Sequence, residues 1–210
     1  MARASLWSYR RSGKRLLDLL LLLLSLPFAL LLLSLVALLV LIADGSPVLF
    51  TQQRSGRKER WFRLYKFRTM RPARQSNPAP SAEAARITRS GRFLRASGLD
   101  ELPQLWNVLR GEMSFVGPRP LLPEYSRYYR PQEKIRFLVK PGITGLAQVN
   151  ERNTTTWCRR LQQDAYYARH CSLALDLRIL GKTLRNFFRV KAQKNRDIMP
   201  RLDVERSSDR

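Results

Sequence analysis

Cysteine and histidine are scarce in this chain of 210 residues, and the shortage excludes several kinds of site. The two cysteines, Cys158 and Cys171, form no C-x-x-C pair, and with His170 as the single histidine they cannot complete a zinc site. A disulfide stays open, but two reduced thiols in a reducing compartment fit better. Glycine motifs for nucleotides are missing too, since neither G-x-x-x-x-G-K-[ST] nor G-x-G-x-x-G occurs.

Acidic residues are outnumbered by basic ones, 16 to 39, which gives a formal net charge of +23. So basic a surface repels itself unless it meets an anionic partner, and nucleic acid, anionic lipid headgroups and phosphorylated substrates all qualify. The many arginines favour phosphate, because a guanidinium can bind two oxygens at once. A membrane-tethered module that binds nucleic acid or another polyanion is therefore one hypothesis, although no helix-turn-helix, RNP or zinc-finger pattern supports it.

One long apolar run, from Leu16 to Ile42, exceeds the roughly 20 residues that a membrane-spanning helix needs. Lysine and arginine dominate both flanks, and the positive-inside rule places both flanks in the cytoplasm, which a hairpin satisfies and a single crossing does not. Pro27 interrupts helical hydrogen bonding near the middle, and Ser25 could satisfy a carbonyl freed there. We therefore expect a re-entrant helix-break-helix within residues 1–45, with a plain spanning anchor as the alternative.

Beyond residue 45 the composition is that of a soluble, basic domain, which we expect to cover residues 46–194, with a polar and disordered tail at 195–210. The expected fold class is α+β and mostly helical. At the start of the apolar run, the spacing of Lys14, Arg15 and Asp18 predicts an ion pair to Asp18. Further predictions are strands at 48–50 and 61–67, a mobile loop at 72–85, and helices at about 100–109, 125–139 and 177–192, the last basic and amphipathic.

Two adjacent carboxylates, Asp100 and Glu101, are the strongest local sign of chemistry. We expect them at the start of a helix, where the N-terminal N–H groups and nearby cations favour ionised carboxylates that can act as nucleophile or Mg²⁺ ligand. An ordinary acidic first turn is the simpler alternative. A second sign is the loop Gly117-Pro118-Arg119-Pro120, whose prolines stiffen an arginine suited to phosphate. Further cations flank the acidic pair at Lys66, Arg68 and Arg95.

In this order, the motifs of the chain resemble those of the bacterial sugar transferase family, the monotopic phosphoglycosyl transferases. The likeness extends from Lys14 to Leu180. Its motifs are Lys14-Arg15-x-x-Asp18, Pro47-Val48-Leu49-Phe50, Gln53-Arg54-x-Gly56, Tyr65-Lys66-Phe67-Arg68-Thr69-Met70, Gly91-Arg92-Phe93-Leu94-Arg95, the run from Leu99 to Leu109, the run from Ser114 to Pro120, the run from Pro141 to Asn150, and Leu175-Asp176-Leu177.

The resemblance implies a catalytic mechanism as well as a fold. Family members carry a re-entrant helix in one leaflet and a cytoplasmic catalytic domain with amphipathic interfacial helices. By this likeness Asp100 attacks the β-phosphate of a UDP-sugar and expels UMP, and undecaprenyl phosphate then takes the phosphosugar in a ping-pong reaction. Glu101 would bind Mg²⁺. The residues implied in substrate binding are Arg119, Arg95, Lys66, Arg68, Pro118, Pro120 and Asp176.

The implied partners are a UDP-sugar donor, undecaprenyl phosphate and an anionic phospholipid membrane, with no nucleic acid, and a homodimer stays open. The implied location is the bacterial inner membrane, with the catalytic domain facing the cytoplasm. Neither the sugar nor the glycan pathway that the product feeds follows from the motifs.

Overall fold

The computed structural model describes residues 9–72, 85–150, 156–188 and 202–207. A short π-helical turn at Tyr9–Gly13 leads into α1, Lys14–Asp44, which ends at Gly45, a residue whose positive φ of 75° suits glycine. With 31 residues α1 is long and apolar enough to cross a membrane. Only 17% of its most apolar 18-residue stretch is buried inside the protein, whereas the core helix of a soluble protein is mostly buried.

Both ends of α1 contact the same folded domain. Near its start, Asp18 Oδ1 accepts hydrogen bonds from Ser114 Oγ at 2.8 Å and from the Phe115 N–H at 3.0 Å. Near its end, Val36 and Val40 pack in one apolar cluster with side chains of the domain. Between these contacts most leucines of α1 are exposed. The helix is thus attached to the domain at both ends, with an apolar surface left open along its length.

After α1 the chain forms an antiparallel hairpin that supports the acidic pair. Strands β1, Leu49–Ser55, and β2, Trp61–Phe67, are joined by a 3₁₀ turn at Arg57–Glu59. This confirms the predicted strands, with β1 longer than expected. Helix α2, Arg89–Ser97, follows, and its Thr88 cap accepts a hydrogen bond from the Gly91 N–H at 2.9 Å.

The rest of the domain combines a second small sheet with helices. Parallel strands β3, Ser114–Val116, and β4, Gly142–Thr144, are separated in sequence by 3₁₀ segments at Pro123–Tyr128 and Lys134–Leu138. Helix α3, Gln104–Leu109, precedes β3. In the described part of the chain four helices follow β4, namely α4 at Leu146–Asn150, α5 at Trp157–His170, α6 at Leu173–Phe188 and α7 at Leu202–Ser207.

The mostly helical α+β class is confirmed, but several local predictions are wrong. Residues 125–139 form two 3₁₀ segments rather than one α-helix, and Pro131, which lacks a backbone donor, lies between them. Helix α6 begins at Leu173, four residues earlier than predicted. Almost all of the predicted mobile loop lies outside the described residues. The same holds for residues 189–192 of the last predicted helix.

The tail is not disordered throughout. Leu202 is fully buried in a cluster with Tyr125, Tyr129 and Leu161, and Arg206 Nη2 lies 2.6 Å from Glu133 Oε1. Residues 202–207 therefore contribute a packed turn of helix, because one leucine and one ion pair anchor an otherwise polar segment.

The predicted ion pair to Asp18 is also wrong. Lys14 Nζ instead lies 2.6 Å from Asp176 Oδ2 of α6, and Arg15 Nη1 donates to the Val108 carbonyl at 2.6 Å. Both cations bind other parts of the domain because α1 packs against it there.

A break at Pro27 is not confirmed, since α1 continues through it. Ser25 Oγ donates to the Leu22 carbonyl at 3.1 Å. This is not the carbonyl that the proline frees, because Pro27 lacks the N–H that would bond the Leu23 carbonyl, so the predicted role of Ser25 is not confirmed.

Candidate active site

The acidic pair lies in a 3₁₀ turn, Leu99–Glu101, between α2 and α3. Helix α3 begins only at Gln104, so the predicted helix start at Asp100 is wrong, and Pro103 occupies the cap position. The pair is held against β2 by Asn107, whose buried side chain donates to the Arg63 carbonyl at 2.7 Å and accepts from the Tyr65 N–H at 3.3 Å.

Glu101 is bound by two cations from different parts of the chain. Its Oε1 atom lies 2.8 Å from Arg119 Nη2 and 3.2 Å from Lys66 Nζ. Burial raises the pKa of Glu101, but the Arg119 and Lys66 charges together outweigh burial and lower that pKa to about 2. Burial lowers the pKa of Lys66, against the attraction of Glu101. Glu101 is therefore an anion between two cations at neutral pH.

Asp100 behaves differently from its neighbour. Burial raises the pKa of Asp100, the Glu101 charge raises it further, and Lys66, Arg119 and Arg95 oppose that shift only in part. The expectation that the surroundings favour its ionised form is thus wrong in direction, because desolvation and a like charge outweigh the cations. Two adjacent carboxyl groups consequently have pKa values displaced in opposite directions.

The loop that presents Arg119 is fixed by buried contacts. Arg136, on the second 3₁₀ segment, donates through Nη2 to the Arg119 carbonyl at 2.6 Å and pairs with Asp164 of α5 at 2.9 Å. The prolines on either side, Pro118 and Pro120, are both buried. The side chain of Arg119 itself stays 47% exposed. The loop is therefore rigid while its cation can reach a ligand.

Of the remaining predicted substrate-binding residues, Arg95 interacts electrostatically with the acidic pair. Its Nε donates to Thr69 Oγ1 at 3.0 Å, and its charge lowers the pKa of Asp100. Arg68 is engaged elsewhere, because its guanidinium donates to the carbonyls of Asp44, Gly45 and Ser46 and so fixes the end of α1.

Asp176 is not brought to the acidic pair either. It is fully buried, and its carboxylate accepts hydrogen bonds from Lys14, from Tyr167 at 2.7 Å and from Tyr9 at 2.6 Å. In the structure this network joins α6 to the start of α1. A substrate-binding role for Asp176 stays a prediction from the resemblance alone.

Arg54 is a cation of the site for which we predicted no role. Its Nη2 donates to the neutral amide of Gln52 at 2.6 Å, and its Nε is buried without a hydrogen-bond partner. Burial and the nearby Arg119 charge lower its pKa to about 10, while Glu101 opposes that shift. The motif Gln53-Arg54-x-Gly56 contained the signal, but its position on the hairpin far from the acidic pair in sequence concealed it.

The carboxylates can hold a divalent cation only together with other ligands. Within the described residues no group of three or more His, Cys, Asp or Glu side chains is placed to bind a metal. Mg²⁺ usually keeps several waters and takes one or two carboxylates plus substrate phosphates. Asp100 and Glu101 fit that kind of shared site, because Glu101 Oε2 makes no hydrogen bond to any described residue.

Comparison with known proteins identifies the family of this chain. The family model described as bacterial sugar transferase matches residues 9–190. A protein named uncharacterized sugar transferase EpsL, from Bacillus subtilis, is 48% identical over 67% of this chain and 70% of its own length. The undecaprenyl-phosphate galactose phosphotransferase of Salmonella typhimurium is 40% identical over 67% of this chain and 33% of its own.

A third relative is the UDP-glucose:undecaprenyl-phosphate glucose-1-phosphate transferase of Xanthomonas campestris, 44% identical over 69% of this chain and 32% of its own length. The chain thus spans most of the Bacillus relative and about a third of the two longer ones. Because the family model covers the apolar helix, the acidic pair and the Arg119 loop alike, this chain belongs to the bacterial sugar transferase family.

Proposed function

We propose that this protein transfers a sugar 1-phosphate from a UDP-sugar to undecaprenyl phosphate and releases UMP. The observation that carries the proposal is the pair of adjacent carboxyl groups, one buried and one bound by Arg119 at 2.8 Å and Lys66 at 3.2 Å. Such a cluster suits an anionic phosphate that must meet a carboxylate nucleophile. Relatives named for galactose and glucose transfer support the substrate class and leave the sugar open.

The proposed reaction has two steps. Asp100 attacks the β-phosphorus of the donor, so that an aspartyl–phosphorus bond forms, the phosphoanhydride bond breaks and UMP leaves. A phosphate oxygen of undecaprenyl phosphate then attacks the same phosphorus and returns Asp100 as a carboxylate. Arg119, Lys66, Arg95 and Arg54 neutralise the transferring phosphate in both steps. Asp100 would be ionised, against its raised pKa, by the charge of a Mg²⁺ ion bound beside it together with the donor.

Mg²⁺ would be held by Glu101 together with Asp100 and substrate oxygens, where it neutralises phosphate charge. The direct contacts of Glu101 with Lys66 and Arg119 orient those cations toward the same phosphate. Glu101 therefore acts in the proposal both as a metal ligand and as the anchor that keeps two cations in place.

The membrane arrangement we propose is re-entrant, with the domain on the cytoplasmic side. Support comes from the two contact regions of α1, since Asp18 and Val40 both pack on one folded domain. A helix that crossed the bilayer would have these residues near opposite faces, where a single domain could not contact both. The exposed apolar surface between them would then lie in one leaflet.

Labelling from each side tests this topology. Single cysteines replace Ser12 and Ser46, two exposed serines that bracket α1, and a membrane-impermeant maleimide is applied to intact spheroplasts and to inverted vesicles. The unchanged parent chain corrects for Cys158 and Cys171. We expect both positions to react only in inverted vesicles. Labelling of the two positions from opposite sides would contradict the re-entrant arrangement.

A donor panel tests the activity. Purified protein is mixed with undecaprenyl phosphate, Mg²⁺ and single UDP-sugars, and UMP release is measured for the parent chain, Asp100→Asn and the surface variant Glu124→Gln. We expect turnover of one or a few donors, abolished by Asp100→Asn and by chelation, and kept by Glu124→Gln. A protein that only binds polyanions would release no UMP with any donor.

A further inference from the structure

A second basic cavity lies away from the acidic pair, at the turn of the β1–β2 hairpin. Its volume is about 450 Å³, and its walls include the cations Arg57, Lys58, Arg60 and Lys140. Lys66, which binds Glu101, lies on the same strand as Trp61 but five residues further along, roughly 16 Å away at the usual rise of a strand. We call this space the hairpin cavity.

The cations of the hairpin cavity have few acidic partners. Among the described residues Glu112 is the only acidic side chain that lines it, and Glu112 already accepts a hydrogen bond from Asn107 at 2.7 Å. None of the four lining cations forms an ion pair with any part of the chain that the structure describes. An anion entering the cavity would therefore find several cations that are not neutralised.

Two more observations show that the cations converge. A Cβ atom built on Gly111 would lie 3.3 Å from Lys140 Nζ and 3.8 Å from Arg15 Cζ, so an ammonium and a guanidinium approach the same point. Burial, and then the Arg15 charge, lower the pKa of Lys140, although Asp18 opposes the shift. The Oδ1 atom of Asp18 already accepts hydrogen bonds from Ser114 and Phe115.

The turn that carries these cations is strained. Lys58 and Glu59 have positive φ angles of 58° and 59°, in the left-handed region that non-glycine residues rarely occupy. The contact between Glu59 Oε1 and Lys134 Nζ at 3.6 Å helps to hold this conformation. Strain of this kind persists where the surroundings fix it, and here it directs three basic residues of the turn into one cavity.

The position of the cavity relative to α1 indicates the source of its ligand. Arg15 borders the cavity region and immediately precedes Leu16, the first exposed apolar residue of α1, which is 60% exposed. Trp61 at the cavity wall is 65% exposed, and tryptophan is enriched at the headgroup level of membranes. With α1 inserted, the cavity would open at the plane of the lipid phosphates.

We propose that the hairpin cavity binds the phosphate headgroup of an anionic phospholipid and so fixes the angle of the domain on the membrane. The inference rests on the membrane insertion proposed above but not on transferase activity. Juxtamembrane lysine and arginine clusters bind anionic lipids through this attraction.

Native mass spectrometry of the full chain from detergent micelles tests the proposal. The micelles contain either phosphatidylglycerol or phosphatidylcholine, and the retained lipid is counted for the parent chain and for Arg57→Gln/Arg60→Gln. The matched control is Arg130→Gln/Arg169→Gln, which removes the same charge from exposed positions outside the cavity. We expect the parent and the control to retain one phosphatidylglycerol, and the cavity variant to lose occupancy by on the order of tenfold.

A charge-preserving variant, an unfolding measurement and a competition experiment complete the test. The charge-preserving Arg57→Lys/Arg60→Lys should retain the lipid, and the urea unfolding midpoint identifies any variant that fails to fold. Equal retention of phosphatidylcholine, or full retention by the glutamine variant, would overturn the proposal. Displacement of the lipid by millimolar UMP or inorganic phosphate would also overturn it, because the cavity would then be a site for soluble phosphates. Since lipid is counted directly, loss of UMP release has no bearing on this result.

Discussion

Replacing Glu101 by glutamine should destabilise the protein at neutral pH and much less at acidic pH. The change keeps the size of the side chain and removes only the charge that faces Lys66 at 3.2 Å and Arg119 at 2.8 Å. A pKa lowered from 4.5 to about 2 corresponds to about 3 kcal/mol in favour of the ionised form in the folded state. Because the Arg119 side chain is 47% exposed, solvent screening reduces this to about 1–2 kcal/mol of measurable stability.

The sign of the pH dependence follows from the lowered pKa. The Glu101 contribution is fully present above the unfolded-state pKa of 4.5 and is lost as the pH falls through about 2, below which both states are protonated. The parent chain should therefore exceed Glu101→Gln in stability at pH 7, and roughly half or less of that difference should remain at pH 3.

Urea unfolding in detergent, followed by tryptophan fluorescence at pH 7 and pH 3, measures both quantities. Glu59→Gln is the control, since Glu59 pairs with Lys134 at 3.6 Å and both side chains are more than 40% exposed, so its loss should cost under about 1 kcal/mol. The reasoning is refuted if Glu101→Gln costs no more than Glu59→Gln at pH 7, or if its cost stays constant down to pH 3.

Three further predictions concern charges that are buried or half-buried. Lys14→Met should lower the free energy of unfolding in detergent by about 3–5 kcal/mol, since it leaves Asp176 buried without its cation; a loss under 1 kcal/mol would contradict this. Asp164→Asn should weaken the support of the Arg119 loop through Arg136 and raise the donor KM in the UMP assay, and an unchanged KM would show that the loop is held otherwise. Arg54→Gln should raise the stability while lowering UMP release, whereas unchanged UMP release would remove Arg54 from the phosphate-binding set.

The sequence predicted the parts of the site that depend on local patterns. Asp100 and Glu101 are adjacent by covalent structure, and a proline on each side stiffens the Arg119 loop, so both could be identified before any fold was known. The convergence of Lys66 and Arg119 on one oxygen of Glu101 was not predicted, because three separate segments must pack to produce it.

Predictions that needed tertiary contacts were less successful. The spacing of Lys14 and Asp18 suggests an ion pair on an isolated helix. Packing of α1 on the domain instead pairs Lys14 with Asp176 and lets Asp18 accept a hydrogen bond from Ser114. The direction of the Asp100 pKa shift was likewise wrong, since local charge counting omits burial. Leu202 shows the same limit, because one buried leucine orders a segment that composition marks as polar.

The central claim is that Asp100 takes the phosphosugar covalently, and mass spectrometry of the acid-quenched intact protein tests it most directly. After incubation with a turned-over UDP-sugar and no acceptor, we expect a mass increase of one sugar phosphate that maps to the peptide containing residue 100. The adduct should disappear when undecaprenyl phosphate is added and should be absent from Asp100→Asn. Continued UMP release by Asp100→Asn, or an adduct on another residue, would contradict the account.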